Sequence, residues 1–303
     1  FRGMLYGSYK KPRELIWIIG MLLYFCLMAE AFFGYLLPWG NMSYWAGQVI
    51  VNLFSYIPVI GETLTEWIRG DYFISDITLN RFFAFHVIFL PLAILALVFA
   101  HILALHHVGS NNPDGIEIKD YKDESGKPID GVAFHPFHTS KDLVAIIIFL
   151  ILYFAAVFYA PEMGGLFLEV DNFEPADPLK TPEHIVPSWY FTPYYAILRA
   201  IPNAALGAVF LVTAVLLFVF LPWLDRCSVK SIRYRGWQYK VALFSFVVSF
   251  IVLGYLGMQP ATGVYVLLAR IFTIIYFAFF LLMPFYTKLE KTKPLPHRVV
   301  YKK

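Results

Sequence analysis

The sequence predicts an all-α membrane protein with six transmembrane helices. Hydrophobic residues make up 59% of the 303, charged residues only 15%, and mean hydropathy is +0.63, far from the soluble-domain average of about 25% charged. The apolar residues gather into six spans: Leu15–Leu37, Phe82–Leu105, Leu143–Ala160, Leu206–Leu224, Val241–Met258 and Val264–Tyr286. Lys and Arg are then distributed unevenly between the connecting segments.

The segment before the first span holds Arg2, Lys10, Lys11 and Arg13. The loops after the second and fourth spans and the C-terminal tail bring that face to 19 of the 24 basic residues, with Lys302 and Lys303 among them. The opposite face has Arg69, Arg81, Lys180 and Arg199, and Arg270 lies within the last span. Six spans put both termini on one side, and the positive-inside rule makes that side cytoplasmic. The chain is therefore expected to be a multi-pass membrane protein with both ends cytoplasmic. The lipid bilayer is its surroundings, and nucleic acid is not an expected partner. Cys26 and Cys227 fall in an apolar span and on a polar loop, so neither a disulfide nor a metal pair is expected. The chain opens on Phe1 with no signal-peptide pattern, and reads as a piece whose N-terminal part is absent.

The first span carries Gly20 and Gly34, spaced to admit a large planar ligand or a neighbouring helix. The long outer loop Pro38–Asn80 is apolar and rich in Trp, Tyr and Ile, as suits short helices at the membrane surface. The second span is the centre of the sequence. From Phe82 to Leu105 the only ionisable residues are His86 and His101. Such residues inside a span mark function. Fifteen positions separate them, roughly 22 Å along a helix, with an angular offset of about 60°. They point to one side, His86 near the outer leaflet and His101 near the inner one. Pro91 between them predicts a kink that adjusts their phase. Imidazole binds haem iron and other transition metals. The separation is too large for one centre and fits two cofactors stacked across the bilayer. No other histidine lies in an apolar span, so each would need a second ligand from elsewhere. Arg81, at the outer edge, is placed to pair with a haem propionate or to snorkel as a helix-end charge.

The inner loop Gly109–His138 is polar and predicted to be solvated. His106, Ser110, Lys141 and Asp142 together offer an imidazole, a hydroxyl, an ammonium and a carboxylate at the inner surface, a set able to deliver protons to a reduced quinone. The second outer loop, Glu162–Pro202, holds Pro187-Ser188-Trp189-Tyr190 within an aromatic block. Interfacial anchoring accounts for most of these rings, and the two outer loops are also placed to roof a shared apolar pocket.

Five stretches in this order carry a resemblance: FRGMLYGSYKKPRE, GYLLPWGNMSYW, RFFAFH with AHILALHHVGSNNPDG, HPFHTSKD, and HIVPSWYFTPYYAILRAIPN. Over its whole length the chain resembles cytochrome b of the quinol–cytochrome c oxidoreductase (the cytochrome bc complex), in its bacterial form. The resemblance implies the third to eighth of eight transmembrane helices, with the first two absent. Residues 1–107 would be the C-terminal part of the haem-binding bundle, 108–140 a cytoplasmic loop, and 141–303 a C-terminal region of four helices with the outer quinol-site loop. It implies two b-type haems, the outer on His86 and the inner on His101, each with its second axial ligand on the missing N-terminal segment. Gly20 and Gly34 would make room for the haems, and Arg2 and Arg81 would meet the inner and outer propionates. Tyr35, Pro187, Ser188, Trp189, Tyr190 and Tyr195 would form the outer quinol site, and His106, Ser110, Lys141 and Asp142 the inner quinone site. Ubiquinone or another quinone would be the substrate. A Rieske-type iron–sulfur protein and a c-type cytochrome would be partners in a homodimeric, proton-translocating complex. A polytopic transporter with an intramembrane histidine proton relay is the alternative, and a reduced-minus-oxidised visible spectrum separates the two.

Three departures from the family pattern stand out. Ser188 replaces the glutamate of a Pro-Glu-Trp-Tyr motif, and serine is no carboxylate base. The proton is then expected to leave by water, or through Tyr35 and the iron–sulfur partner. Ala46 precedes Gly47 where Gly then Ala is usual, so its methyl should crowd the outer pocket and weaken strobilurin-type inhibitors. Fourteen residues lie between His86 and His101 where many relatives have thirteen.

Overall fold

The computed structural model describes residues 1–165, 167 and 169–300, so Lys302 and Lys303 lie outside the described residues. Five helices are long and apolar enough to cross a membrane on their own, and the described residues form no named strand. After a short helix α1 (Arg2–Tyr6) comes α2 (Glu14–Leu36), which matches the first span. The outer loop forms α3 (Asn41–Asn52) and α4 (Gly61–Arg69). Gly40 N–H donates to Ser43 Oγ at the start of α3, and Gly70 at φ 77° ends α4.

The second span is one 33-residue helix, α5 (Asp76–Val108). It starts six residues earlier than hydropathy alone suggests, because Ser75 and Thr78 cap its polar first turn. A π turn at Phe85–Phe89 interrupts it, with Leu90 N–H bonded to Phe85 carbonyl. Pro91 lacks an N–H and its ring crowds the carbonyl four residues back, so widening the turn just before it relieves both problems.

The third span is α6 (Thr139–Tyr159), which has no buried residue. Apolar side chains exposed along its whole length are stable only in lipid. The second outer loop yields α7 (Thr192–Ala200), and the fourth span begins as α8 (Ala204–Leu216), capped by Asn203 Oδ1. That span does not continue as one helix. From Phe218 the N–H groups bond three residues back, and a single turn at Leu221–Leu224 follows. Pro222 cannot donate, and Trp17 Nε1 takes the freed Phe218 carbonyl at 2.7 Å. The last spans are α9 (Trp237–Gly257) and α10 (Gly263–Leu281), with α11 (Met283–Leu289) continuing past a break before Pro284.

Two packed groups result. In the first, α2 lies along α5, and Phe33 and Phe82 meet edge to face at 4.6 Å beside buried Leu36, Tyr44 and Val51. In the second, α7, α8, α9 and α10 enclose Tyr194, Ile197, Phe246, Tyr276 and Phe280. Met4 and Tyr9 belong to this second core, and Tyr239 hydroxyl donates to Met4 carbonyl at 2.8 Å. The N-terminal segment thus docks on the C-terminal half.

The basic ends of the helices are joined by ion pairs. Arg235, with no exposed side-chain surface, pairs with Asp225 at 2.6 Å and Glu290 at 2.5 Å, and Lys10 reaches Asp225 at 2.8 Å. Glu117 takes Arg13 at 2.6 Å and also Lys230. The loop 109–138 is therefore pinned as well as solvated: Asp114 is 1% exposed and accepts from Arg233 and Tyr234 at 2.9 Å. Both cysteines are free, and burial pushes the Cys227 thiol up to about 11.

Candidate functional site

The α2–α5 seam brings each histidine to one glycine. A Cβ on Gly34 would lie 2.4 Å from His86 Cε1, and one on Gly20 would lie 3.4 Å from His101 Cε1. Only glycine admits the His86 ring at that distance. His86 Nδ1 lies 3.0 Å from Glu30 carbonyl and 3.1 Å from Glu30 Oε1. An acceptor there places the proton on Nδ1 and leaves the Nε2 lone pair free to bind a metal. Glu30 Oε2 is buried without a partner, as is His101 Nδ1.

At the basic end a cavity of about 400 Å3 is lined by His101, Gly20, Arg2, Arg13 and Ser110. It unites four residues singled out in the sequence, His101, Gly20, Arg2 and Ser110. Arg13 donates to the carbonyls of Gly109 at 2.9 Å and Ser110 at 3.3 Å and fixes this wall. An imidazole, a small residue opposite it and the exposed Arg2 guanidinium suit a planar, carboxylate-bearing macrocycle. The other inner residues lie apart from Ser110. His106 faces the Phe134 ring at 6.3 Å, Lys141 Nζ lies 4.1 Å from the Phe137 ring, and Asp142 is exposed on the first turn of α6. Arg81 is exposed and folds over Gly70, donating to Trp67 carbonyl.

The carboxylates around the basic end are held ionised. Burial raises Asp225, but Arg235 and Lys10 outweigh it and bring it below the usual carboxylate value. Glu117 is likewise raised by burial and lowered further by Arg13 and Lys230. Burial also lowers Lys10.

At the opposite end a second cavity of about 390 Å3 is almost wholly apolar. Its walls include Phe32 and Phe33 of α2, Ala46 and Ile50 of α3, Pro187, Phe191 at the N-cap of α7, and Tyr195 of α7. Both outer loops therefore contribute, as the roofing expectation had it. Pro187 and Tyr195 line the cavity, and Tyr195 hydroxyl donates to Ile185 carbonyl at 3.1 Å while Arg199 stacks on its ring at 4.3 Å. Ser188, Trp189 and Tyr190 form the turn into α7, with Phe191 N–H on Ser188 carbonyl at 2.8 Å. Trp189 is 77% exposed and Tyr190 40%. Tyr35, two positions after the wall residue Phe33, does not line the cavity, and its hydroxyl donates to Glu169. Phe32, Phe33 and Phe191 were not singled out from the sequence, although their spacing before Tyr35 and after Pro187 is a usable signal. Glu30 is visible as a lone carboxylate within an apolar span.

Comparison with known proteins agrees along the chain. Residues 1–169 match the family model described as "Cytochrome b(N-terminal)/b6/petB" and residues 175–277 the one described as "Cytochrome b(C-terminal)/b6/petD". The chain is 58% identical over 309 residues to a cytochrome b of Allochromatium vinosum, covering 99% of this chain and 74% of that one. With a cytochrome b of Rickettsia prowazekii it shares 47% over 297 residues, covering 97% and 71%. It also resembles a chain of a hyperthermophilic respiratory complex III, with a TM-score of 0.85 and 38% identity, over 95% of this chain and 73% of that one.

Proposed function

This chain belongs to the cytochrome b family of haem-carrying subunits in respiratory electron transport, and from that premise we propose that it oxidises quinol at the apolar cavity and delivers electrons along the α2–α5 seam to a quinone at the basic end. One observation carries the reading. Two histidine–glycine contacts lie along one helix pair, each towards one end, with an apolar cavity at one end and a cationic one at the other.

Each b-type haem, when bound, supplies the one-electron chemistry. His86 and His101 would each hold one haem through an imidazole. Gly34 and Gly20 keep the histidine faces free of side chains. Arg2 at the inner cavity and Arg81 at the outer edge offer guanidinium groups to propionates. Glu30 holds the His86 ring by its Nδ1 and so orients Nε2.

At the outer cavity Phe32, Phe33, Ile50 and Phe191 exclude water from an apolar quinol, while Pro187 and Tyr195 shape the mouth. Tyr35, Ser188, Trp189 and Tyr190 are not wall residues; they flank Phe33, Pro187 and Phe191 in the chain and offer polar groups next to that wall. At the inner face Ser110 lies in the cavity wall, and His106, Lys141 and Asp142 supply proton-exchanging groups at the neighbouring surface. Proton release outside and uptake inside make the cycle a translocase. The concentration of ion pairs at the basic end supports a cytoplasmic position for both ends of the chain in a plasma membrane, spanned by six segments. A Rieske-type protein takes one electron from quinol, a c-type cytochrome follows it, and the assembly is a dimer.

The test is a reduced-minus-oxidised visible spectrum of the assembled complex with H86L and H101L variants. Each variant should lose one of two b-type signals. Wild type without b-type absorbance overturns the reading.

A further inference from the structure

Ser188 leaves the turn between Pro187 and Tyr190 without a carboxylate. A carboxylate reaches the same end of the molecule from another segment. Glu169, in the loop that follows α6, accepts a hydrogen bond from Tyr35 hydroxyl, and Asn172 Nδ2 donates to that hydroxyl at 3.3 Å. Asn172 is itself fixed, since its Oδ1 accepts Ser43 N–H at 2.8 Å. The loop is docked on the α2–α3 corner by Asn41 N–H to Glu174 carbonyl at 2.9 Å and Ala176 N–H to Trp39 carbonyl at 3.0 Å. Tyr190 is the other titratable group beside the Tyr35 hydroxyl. Phe32 and Phe33, on the turn of α2 preceding Tyr35, form the cavity wall. Glu169 is half-buried, so it faces both the phenol and water.

We propose that Glu169, through Tyr35, is the proton acceptor of quinol oxidation in this chain. The inference rests on the outer cavity being the quinol site. As the quinol O–H bond breaks, its proton passes to the Tyr35 oxygen while the Tyr35 proton passes to the Glu169 carboxylate. Tyr35 ends as it began, Glu169 ends as a neutral acid, and the accompanying electron goes to the iron–sulfur partner. Glu169 then returns its proton to water. A positioned carboxylate base typically contributes about 10²–10⁴-fold in rate. Ser188 therefore marks a relocation of the base from the turn before α7 to the loop after α6.

The test uses E169Q, Y35F and the double variant E169Q/S188E in the assembled complex. Glutamine keeps an acceptor for Tyr35, so a purely structural Glu169 tolerates it, whereas a proton acceptor does not. E169Q should lower kcat for quinol oxidation about a hundredfold and leave KM within about twofold with both haem spectra intact. E169D should recover part of the loss. S188E placed in the E169Q background should restore turnover by returning a carboxylate to the turn. An infrared difference spectrum on quinol oxidation should show a protonated carboxyl band that E169Q removes and E169D shifts. Wild-type kcat in E169Q, or a carboxyl band that survives it, overturns the proposal. Should E169Q fail to assemble, Y35F decides: a matching fall in kcat supports the relay, and unchanged kcat overturns it. An active wild type with unaffected variants sinks the relay alone. A haem-bearing wild type with no quinol oxidation sinks the site reading beneath it.

Discussion

His86 Nδ1 sits between two acceptors of one residue, 3.0 Å from the carbonyl of Glu30 and 3.1 Å from its carboxylate. The side chain and backbone of a single α2 residue thereby fix a ring on α5. Carboxylate acceptors behind a ligand histidine raise its basicity and hold its orientation. E30L, which leaves only the carbonyl, should weaken retention of the outer haem about tenfold and raise its midpoint potential. Potentiometric titration of the two haem signals checks this, and the inner signal should not move.

The two glycines should respond differently to the same methyl. A Cβ at position 34 would lie 2.4 Å from His86 Cε1, inside any allowed contact, so G34A must displace the ring. Overpacking of that kind costs about 1–3 kcal/mol. At position 20 the nearest approach is 3.4 Å, an ordinary contact. G34A should displace the His86 ring and distort or delete the outer haem spectrum, a larger effect than G20A has on the inner one. Equal sensitivity of both signals would refute the contact geometry.

Ala46 is 3% exposed and its methyl lies in the outer cavity wall. Gly47 is closed in by Ile74 Cδ1 and Leu36 Cδ1, at 3.0 and 3.1 Å from a Cβ added there. Strobilurin-type inhibitors should therefore bind weakly. A46G should tighten them about tenfold or more, the usual worth of one methyl in a fitted pocket. An inhibitor titration of wild type and A46G decides it.

Asp225 anchors Arg235 and Lys10 at the basic end. D225N leaves Lys10 buried beside a neutral partner and Arg235 with Glu290 alone, and breaking a buried pair costs about 3–5 kcal/mol. The pH dependence has a definite sign. Asp225, Glu117 and Asp114 all lie below their usual values of 3.8, 4.5 and 3.8 in the folded chain. Their stabilisation is present above those values and is lost as pH falls through the lower folded ones. Thermal unfolding in detergent should be flat down to about pH 4.5 and fall steeply below pH 3.8. D225N should lower the plateau and shallow the acid limb.

Much of this architecture is legible in the sequence because hydropathy, charge bias and span-edge motifs are local signals. Five of the six apolar spans correspond to continuous crossing helices. The break in the fourth span is signalled only by Pro222, which a hydropathy average does not register. In the outer cavity Pro187 and Tyr195 were readable, whereas Phe32, Phe33 and Phe191 looked like ordinary apolar filling. In the sequence the inner set forms one cluster, yet in the fold Ser110 lies with His101 while Lys141 packs on Phe137. Contacts such as Tyr9 with Asp225, or Tyr35 with Glu169, join residues far apart in the chain. Nothing in the neighbourhood of either partner encodes them. Only the docking of α1 on the second core and of the outer loop on the α2–α3 corner brings them together.

The π turn at Phe85–Phe89 acts as an expansion joint between the two histidines. Gly20 and Gly34 stand fourteen residues apart on the regular helix α2, His86 and His101 fifteen apart on α5. Unbroken α-helix would leave those fifteen residues about 100° out of step with the fourteen. A single π turn absorbs one residue, and the two helices regain a common phase. The longer histidine spacing is thus neutral for the seam. A one-residue deletion within Val87–Phe89 should close the joint into plain α-helix and leave both rings on their glycines, so chain length here can drift while the separation of the two rings stays constant.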